Sequence, residues 1–342
     1  MSAPLLSSAA ATLARPRSIA PLLEVANLRI AFGRQEAVQG VSFTLHEGET
    51  LALVGESGSG KSLTALSTLD LLPDGAAISG GTIAFAGADL AGLAPAARRA
   101  LRGGDIGMIF QEPMTSLNPV MTIGQQIIEA LRQHQRLSRR AARTRALELL
   151  DLVRIADPHR RIEDYPHQLS GGMRQRVMIA MAVAAGPRLL IADEPTTALD
   201  VTIQAQVLEL IDRLRRDLSM AVLLITHDLG VVGQWADRVV VMYAGRTVEE
   251  GDPAALFARP LHPYTKGLLA ASPRLEDSHH YTSGPLVEIP GSIASASGQP
   301  GCAFAPRCPQ AAAACRIAPP PLRQWAAGRQ VACPRVLPED LP

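Results

Sequence analysis

Residues 51–62 read LALVGESGSGKS, an apolar run that breaks into a glycine-rich loop. Leu51–Val54 has the pattern of a strand buried on both faces of a parallel-type sheet. Residues 55–62 match the phosphate-loop pattern, and the apolar spacing from Ser62 to Leu72 predicts a helix that stops at Pro73. Strand, loop and helix in this order are the context that the motif requires. The glycines let backbone N–H groups converge on phosphate oxygens where a side chain would intrude. Lys61 is expected to neutralise the β- and γ-phosphates of a nucleotide, and Ser62 to place its hydroxyl on Mg²⁺. The helix adds the positive end of its dipole.

A second half-site is expected at Leu189–Glu194, where LLIADE ends an apolar strand in two acids. Asp193 is placed to meet the metal directly or through water, and Glu194 to polarise an attacking water as a general base. Pro195 fixes the turn behind them. No guanine-reading Asn-Lys-x-Asp motif occurs, which favours ATP.

Around this centre the chain alternates strand and helix. LEVANLRIAF, AVQGVSFTL, residues 78–90 and Ile106–Phe110 read as strands, as do RLLIA, AVLLIT and VVVMYAG; residues 201–218 read as a helix. That alternation predicts an α/β fold with a mainly parallel sheet. Residues 122–155 carry helical spacing and appear as an insertion of about residues 112–170. Within it Arg132, Arg136, Arg139, Arg140, Arg143 and Arg145 suit a solvated helical face better than a patch for anionic lipid. Beyond about residue 256 the periodicity fades, and a separate loop-rich tail is expected over 256–342.

Bulk properties bound the function. Lys and Arg total 33 against 32 Asp and Glu, and aromatic residues make up only 4%. Neither the charge nor the aromatic content suits a nucleic-acid surface. Residues 1–20 place Arg15 and Arg17 after a Ser- and Ala-rich stretch instead of before an apolar run, the reverse of a secretory signal, and read as a disordered tail. No stretch of about 18 apolar residues occurs, so membrane attachment is expected only through a partner.

Further motifs narrow the class by resemblance. LSGGM at 169–173 resembles the signature of ABC ATPases, with Met173 where Gln is commonest; Gln111 in FQEP resembles the Q-loop glutamine. Ala198-Leu199-Asp200 is similar to the D-loop, His227 in ITHD to the switch histidine, and Phe32 stands where the family carries an aromatic for adenine. The motifs run in family order over residues 22 to about 250. The resemblance implies a nucleotide-binding domain over 21–255, with Phe32, Gly55, Glu56, Ser57, Gly58, Ser59, Gly60, Lys61, Ser62, Leu63, Gln111, Asp193, Glu194 and His227 around ATP. It implies Ser62, Gln111 and Asp193 around Mg²⁺, and Ser170, Gly171, Gly172 and Met173 against the ATP of a second subunit.

QEPMTSLNPVMTIGQQI, DEPTTALDVTIQAQ and HPYTKGLL are similar to the ATPases of oligopeptide and dipeptide importers. That implies two membrane permeases, a second ATPase that is usually a different chain, an external binding protein, and a place on the cytoplasmic face of the inner membrane. Nickel and glutathione importers share much of this pattern. Exporters commonly fuse the cassette to membrane helices, and nucleic-acid or ribosome ATPases of the class commonly join two cassettes.

All four cysteines, Cys302, Cys308, Cys315 and Cys333, lie in the tail. Disulfides suit a reducing compartment poorly, and structural zinc usually takes tighter Cys pairs. Four thiolates at these spacings suit an iron–sulfur cluster better, with free thiols as the remaining alternative. The resemblance favours a [4Fe–4S] cluster, carried in this extension by some peptide-importer ATPases, in a structural role.

Overall fold

The computed structural model describes residues 20–111, 116–197, 199–271, 288–296, 300–326 and 328–336. The N-terminal tail up to residue 19, residues 112–115 after the Q-loop glutamine, and Ala198 of the D-loop lie outside these.

The apolar run at 51 is the middle of an eight-stranded sheet. Strand β3 (Thr50–Val54) pairs in parallel with β8 (Ala221–Thr226) on one side and β9 (Arg238–Tyr243) on the other. Parallel pairing continues from β8 to β7 (Leu189–Asp193) and from β7 to β6 (Ile106–Ile109). Beyond β9 the direction reverses through β10 (Arg246–Gly251), β12 (Arg329–Val331) and β11 (Arg323–Ala326).

Side chains alternate across these strands, and both faces are covered. Leu51 and Leu53 of β3, with Leu189, Ile191, Leu223, Ile225, Val240 and Met242, pack against a second sheet. This one is antiparallel, in the order β2 (Gln35–Leu45), β1 (Leu23–Phe32), β4 (Ala76–Phe85), β5 (Ala88–Asp89). Ala52 and Val54, with Val239, Val241 and Tyr243, face the opposite way. On that side Leu190, Ala192, Val222 and Leu224 meet the helical insertion. Each fully buried aliphatic side chain of this kind stabilises by about 1.5–3 kcal/mol.

The insertion folds as its spacing predicts. Helix α3 (Ile123–His134) follows the phosphate-loop helix α1 (Lys61–Thr68) and α2 (Pro95–Leu101) in the chain. Thr122 opens α3 with a capping box: its hydroxyl accepts from Gln125 N–H, and the Gln125 side chain accepts from Thr122 N–H. Ser138 caps α4 (Arg139–Leu152), and Ile127, Leu131, Ala146 and Leu150 pack with the single turn α5 (Pro158–Arg161) close by. Arg143 and Arg145 reach Glu163 and Glu148 across exposed surface, at 2.7 Å each. Helix α6 (Gly171–Ala182) returns the chain to the sheet, followed by α7 (Val201–Leu218), α8 (Leu229–Trp235), α9 (Pro253–Ala258) and α10 (Pro263–Ala271).

The tail supplies two strands of the main sheet. Its strand β12 joins the main sheet, with Val331 opposite Glu249 and Gln330 opposite Glu250. Phe304 is buried in the same cluster as Val54, Tyr243 and Tyr264. The physical reason is the edge of β10, which leaves a row of backbone groups that a short strand satisfies. An ion pair ties the junction: Glu249, fully buried, accepts from Leu261 N–H and His262 N–H at 2.9 Å and from Arg329 Nη2 at 2.9 Å. Removing one partner of a buried pair strands the other. Arg329→Met is expected to lower unfolding free energy by about 3–5 kcal/mol in urea titrations of the whole chain. A loss below ~1 kcal/mol would show that Glu249 is satisfied without it.

Candidate functional site

The loop between β3 and α1 is shaped by how closely strands approach behind it. A Cβ on Gly55 would stand 2.2 Å from the Met242 carbonyl oxygen on β9, so only glycine fits. Gly60, at φ +96°, turns the chain left-handed into α1, and no side chain caps that helix. Its first N–H groups are therefore left to a ligand, and an anion is the natural one. Ser57 and Gly58 are exposed at the tip, whereas Gly55 and Ser59 are buried.

Lys61 is buried, and its ammonium donates to the carbonyls of Gly55 (2.7 Å) and Glu56 (2.9 Å) and to Ser59 Oγ (3.3 Å). Burial lowers its pKa from the usual lysine range, while Glu194, Asp193 and Glu56 pull the other way. Ser62 Oγ donates to Asp193 Oδ1 at 3.0 Å. Burial raises the Asp193 carboxyl, opposed by that hydroxyl bond and by Lys61, with Glu194 adding to the rise. Hydroxyl and carboxylate thus stand together at the strand ends, a pair suited to a hard divalent cation that also takes phosphate oxygens.

Glu194 follows in the left-handed region at φ +44°, an uncommon state for a residue with a side chain. Its N–H donates to Ile225 O at 2.9 Å, which holds the turn against β8. Oε2 accepts from Gln111 Nε2 (3.1 Å) and from Thr197 Oγ1 (2.9 Å), and Oε1 lies 3.5 Å from His227 Nδ1. Gln111, Glu194 and His227, remote in sequence, are therefore brought to one place beside Asp193 and Ser62. Phe32 ends β1 with its side chain partly exposed.

The signature residues are placed differently. Ser170 and Gly171 are exposed at the start of α6, where Ser170 Oγ accepts from Met173 N–H at 3.3 Å. A Cβ on Gly172 would come within 2.9 Å of Ile203 on α7. Asp200 caps α7 by accepting from Ile203 N–H at 3.0 Å. Gln175, buried on α6, donates to Pro195 O at 2.6 Å and so ties the signature helix to the turn after Glu194. Gln204 on α7 donates to Asp228 beside His227 at 3.2 Å. Sequence reasoning missed Thr197, Gln175 and Gln204. Thr197 was legible only as part of the run after DEP, and the two glutamines carry no local signal on their helices.

Among the described residues no three His, Cys, Asp or Glu side chains stand close enough to share one metal ion. Cys302 and Cys308 lie against the cluster that holds Val54, Tyr243 and Phe304. Cys302 N–H donates to Cys315 O at 2.7 Å. Burial raises the thiols of Cys302, Cys308 and Cys333, and each is raised further by one or more of the other cysteines. Thiols are the donors of a soft, thiolate-bound group, but as placed here they do not close a metal site.

Residues 38–197 match the ABC transporter family model, and residues 248–315 match the model for the oligopeptide/dipeptide transporter C-terminal region. A putative peptide import ATP-binding protein of Brucella abortus is 55% identical over 94% of this chain and 97% of its own length. The chain belongs to the oligopeptide/dipeptide-type ATP-binding subunits of ABC transporters. The dipeptide transport ATP-binding protein DppD of Bacillus subtilis is 52% identical over 86% of this ATPase and 88% of DppD. Among solved structures, a Clostridium perfringens protein that is part of the ABC transporter complex cbiONQ aligns at TM-score 0.62 and 27% identity, covering 70% of this chain and 91% of that one. A dimeric cassette in a post-hydrolysis state with ADP and Pi aligns at TM-score 0.60 and 28% identity, covering 68% and 98%. The family hydrolyses ATP, with Mg²⁺ as the metal expected beside it. Among the described residues no helix is long and apolar enough to cross a membrane.

The Thr197 hydroxyl aims the Glu194 carboxylate. In steady-state assays Thr197→Val is expected to reduce ATP turnover by about tenfold at near-normal ATP affinity, the worth of one hydrogen bond to a charged group. Glu194→Gln is expected to fall much further. Turnover near wild type in Thr197→Val would remove the threonine from this role.

Proposed function

We propose that this chain is the ATP-hydrolysing motor subunit of a bacterial importer of di- or oligopeptides. The observation that carries the reading is the similarity to peptide import ATP-binding proteins, which extends from the nucleotide domain into the C-terminal region.

In this reading the loop from Gly55 to Gly60 and the first turn of α1, through Leu63, wrap the phosphates, Lys61 neutralises the β- and γ-oxygens, and Phe32 stacks on adenine. Ser62, Asp193 and Gln111 would hold Mg²⁺, which would supply electrostatic stabilisation of the transferring phosphoryl group. Glu194, aimed by Gln111 and Thr197, accepts the proton of the attacking water. His227 contacts the γ-phosphate and reports its presence. Ser170 and Gly171, exposed at a helix N-terminus, with Gly172 and Met173 behind them, act on the ATP of a second ATPase subunit, with Asp200 beside them. ATP binding closes the pair and hydrolysis reopens it. Gln111 links this cycle to the helical insertion and through it to two membrane permeases. The second ATPase is a different chain, an external binding protein selects the peptide, and the subunit sits at the cytoplasmic face of the inner membrane. The nucleotide domain spans 21–255, with the helical insertion at about 112–170 and the extension over 256–342.

The finer proposal for the extension is a [4Fe–4S] cluster on Cys302, Cys308, Cys315 and Cys333. Its support is that all four cysteines of the chain fall in this one segment, which a bound group would help to fold.

Two measurements test these readings. Gentle detergent purification from native membranes, with co-purifying chains identified by mass spectrometry, is expected to recover two polytopic permeases and a second cassette. Recovery alone or with ribosomes would overturn the transport role and leave the ATPase intact. Anaerobically purified protein is expected to carry iron and visible absorbance that Cys302→Ser with Cys308→Ser removes. Unchanged iron content in that variant would sink the cluster.

A further inference from the structure

Glu56, second residue of the phosphate loop, is held by side chains more than two hundred positions away. Its N–H donates to Tyr264 Oη at 2.8 Å. Its carboxylate accepts a two-pronged bond from Arg307, at 2.7 Å from Nη1 and 3.1 Å from Nη2. Arg307 is itself immobilised: Nε donates to Pro290 O (2.8 Å), Nη2 to Ile289 O (3.0 Å) and Nη1 to Tyr243 Oη (3.4 Å). Its guanidinium lies over the rings of Tyr243 and Phe304, at 5.8 and 6.0 Å from their centroids. Only 7% of the residue is exposed. Tyr264 is fully buried, and its N–H donates to His262 Nδ1 at 3.1 Å. His262 is anchored in turn by Glu249. Burial lowers the His262 pKa to about 3, so the imidazole stays neutral and its acceptor persists at working pH.

The extension therefore grips one loop residue at both its backbone and its side chain. The grip reaches the chemistry through Lys61, whose ammonium rests on the carbonyls of Gly55 and Glu56. A shift of Glu56 moves an acceptor of the lysine that meets phosphate. Buried ion pairs are poor sources of net stability compared with apolar residues of similar size, whereas planar two-pronged pairing fixes position.

We propose that Arg307 and Tyr264 are positioning residues for the ATP-phosphate loop, acting through Glu56, so that the C-terminal extension sets the geometry of nucleotide binding in this ATPase. The proposal rests on the reading of residues 55–62 as the loop that holds ATP phosphates.

The test is MgATP affinity of the full-length chain, read with amide hydrogen exchange. Arg307→Met is expected to weaken binding about tenfold and Arg307→Lys less, because lysine keeps the charge without the fork. Exchange is expected to quicken across 55–62 while β12 keeps its protection. Arg307→Met combined with Glu56→Gln is expected to bind no more weakly than Arg307→Met alone, since both act through one contact. Tyr264→Phe removes a single oxygen and keeps the ring, and is expected to loosen the same loop. Wild-type affinity in Arg307→Met and Tyr264→Phe would overturn the clamp. Weakening that comes with faster exchange throughout the chain would also overturn it, as a purely structural effect. A wild-type chain that binds no MgATP, and is unaffected by Lys61→Ala, would instead bring down the reading of the loop, and the clamp with it.

Discussion

The structure turns on the lack of room behind Gly55. The carbonyl of Met242 occupies the space that any side chain there would need, so β3 and β9 can run side by side to the point where the loop begins. That closeness lets the loop fold back on itself, with Lys61 reaching the carbonyls of Gly55 and Glu56 and with Ser59 buried beneath. The parallel strands on either side then deliver their C-terminal ends to the same rim. Asp193, Glu194 and His227 arrive there because β7 and β8 end there. Ligands of open parallel sheets gather outside the carboxyl ends of strands for this reason.

Charge is distributed around the rim so that no group is left alone. Lys61 and Asp193 are both buried, and each offsets part of the other's desolvation. Glu194 is held in an uncommon backbone state by its bond to β8 and by two side-chain donors. Such a residue persists only where its surroundings over-determine it. The hydrogen bonds of Gln175 and Gln204 extend this order into α6 and α7. The exposed signature turn and the rim thus belong to one hydrogen-bonded body, although they face different neighbours.

Much of this was legible where the information is local. The phosphate loop, the double acid at the end of β7 and the helix at 201–218 each announce themselves within about a dozen residues, through glycine spacing or period. The boundaries of α7 agree with the sequence reading. The antiparallel sheet was visible as strands but not as a separate layer, because alternation does not say which strand is the neighbour. The tail's pairing with the main sheet was not legible because RQWA and RQV are short and polar, with no alternation to mark them. Arg307 and Glu56 lie 251 residues apart, and nothing in either local sequence names the other. The cysteine spacing suggested a shared thiolate ligand set, but among the described residues no three such side chains stand close enough to share one metal ion.

The strand that joins β10 also has a bearing on how the chain can be divided. A nucleotide domain cut after residue 255 would end in sequence but not in structure. It would present the bare edge of β10, with Glu249 buried beside it and no guanidinium to meet it. Open edges invite other strands. The extension is therefore a lid on the sheet's adhesive margin, and a cassette stripped of it would be prone to stacking with its own copies.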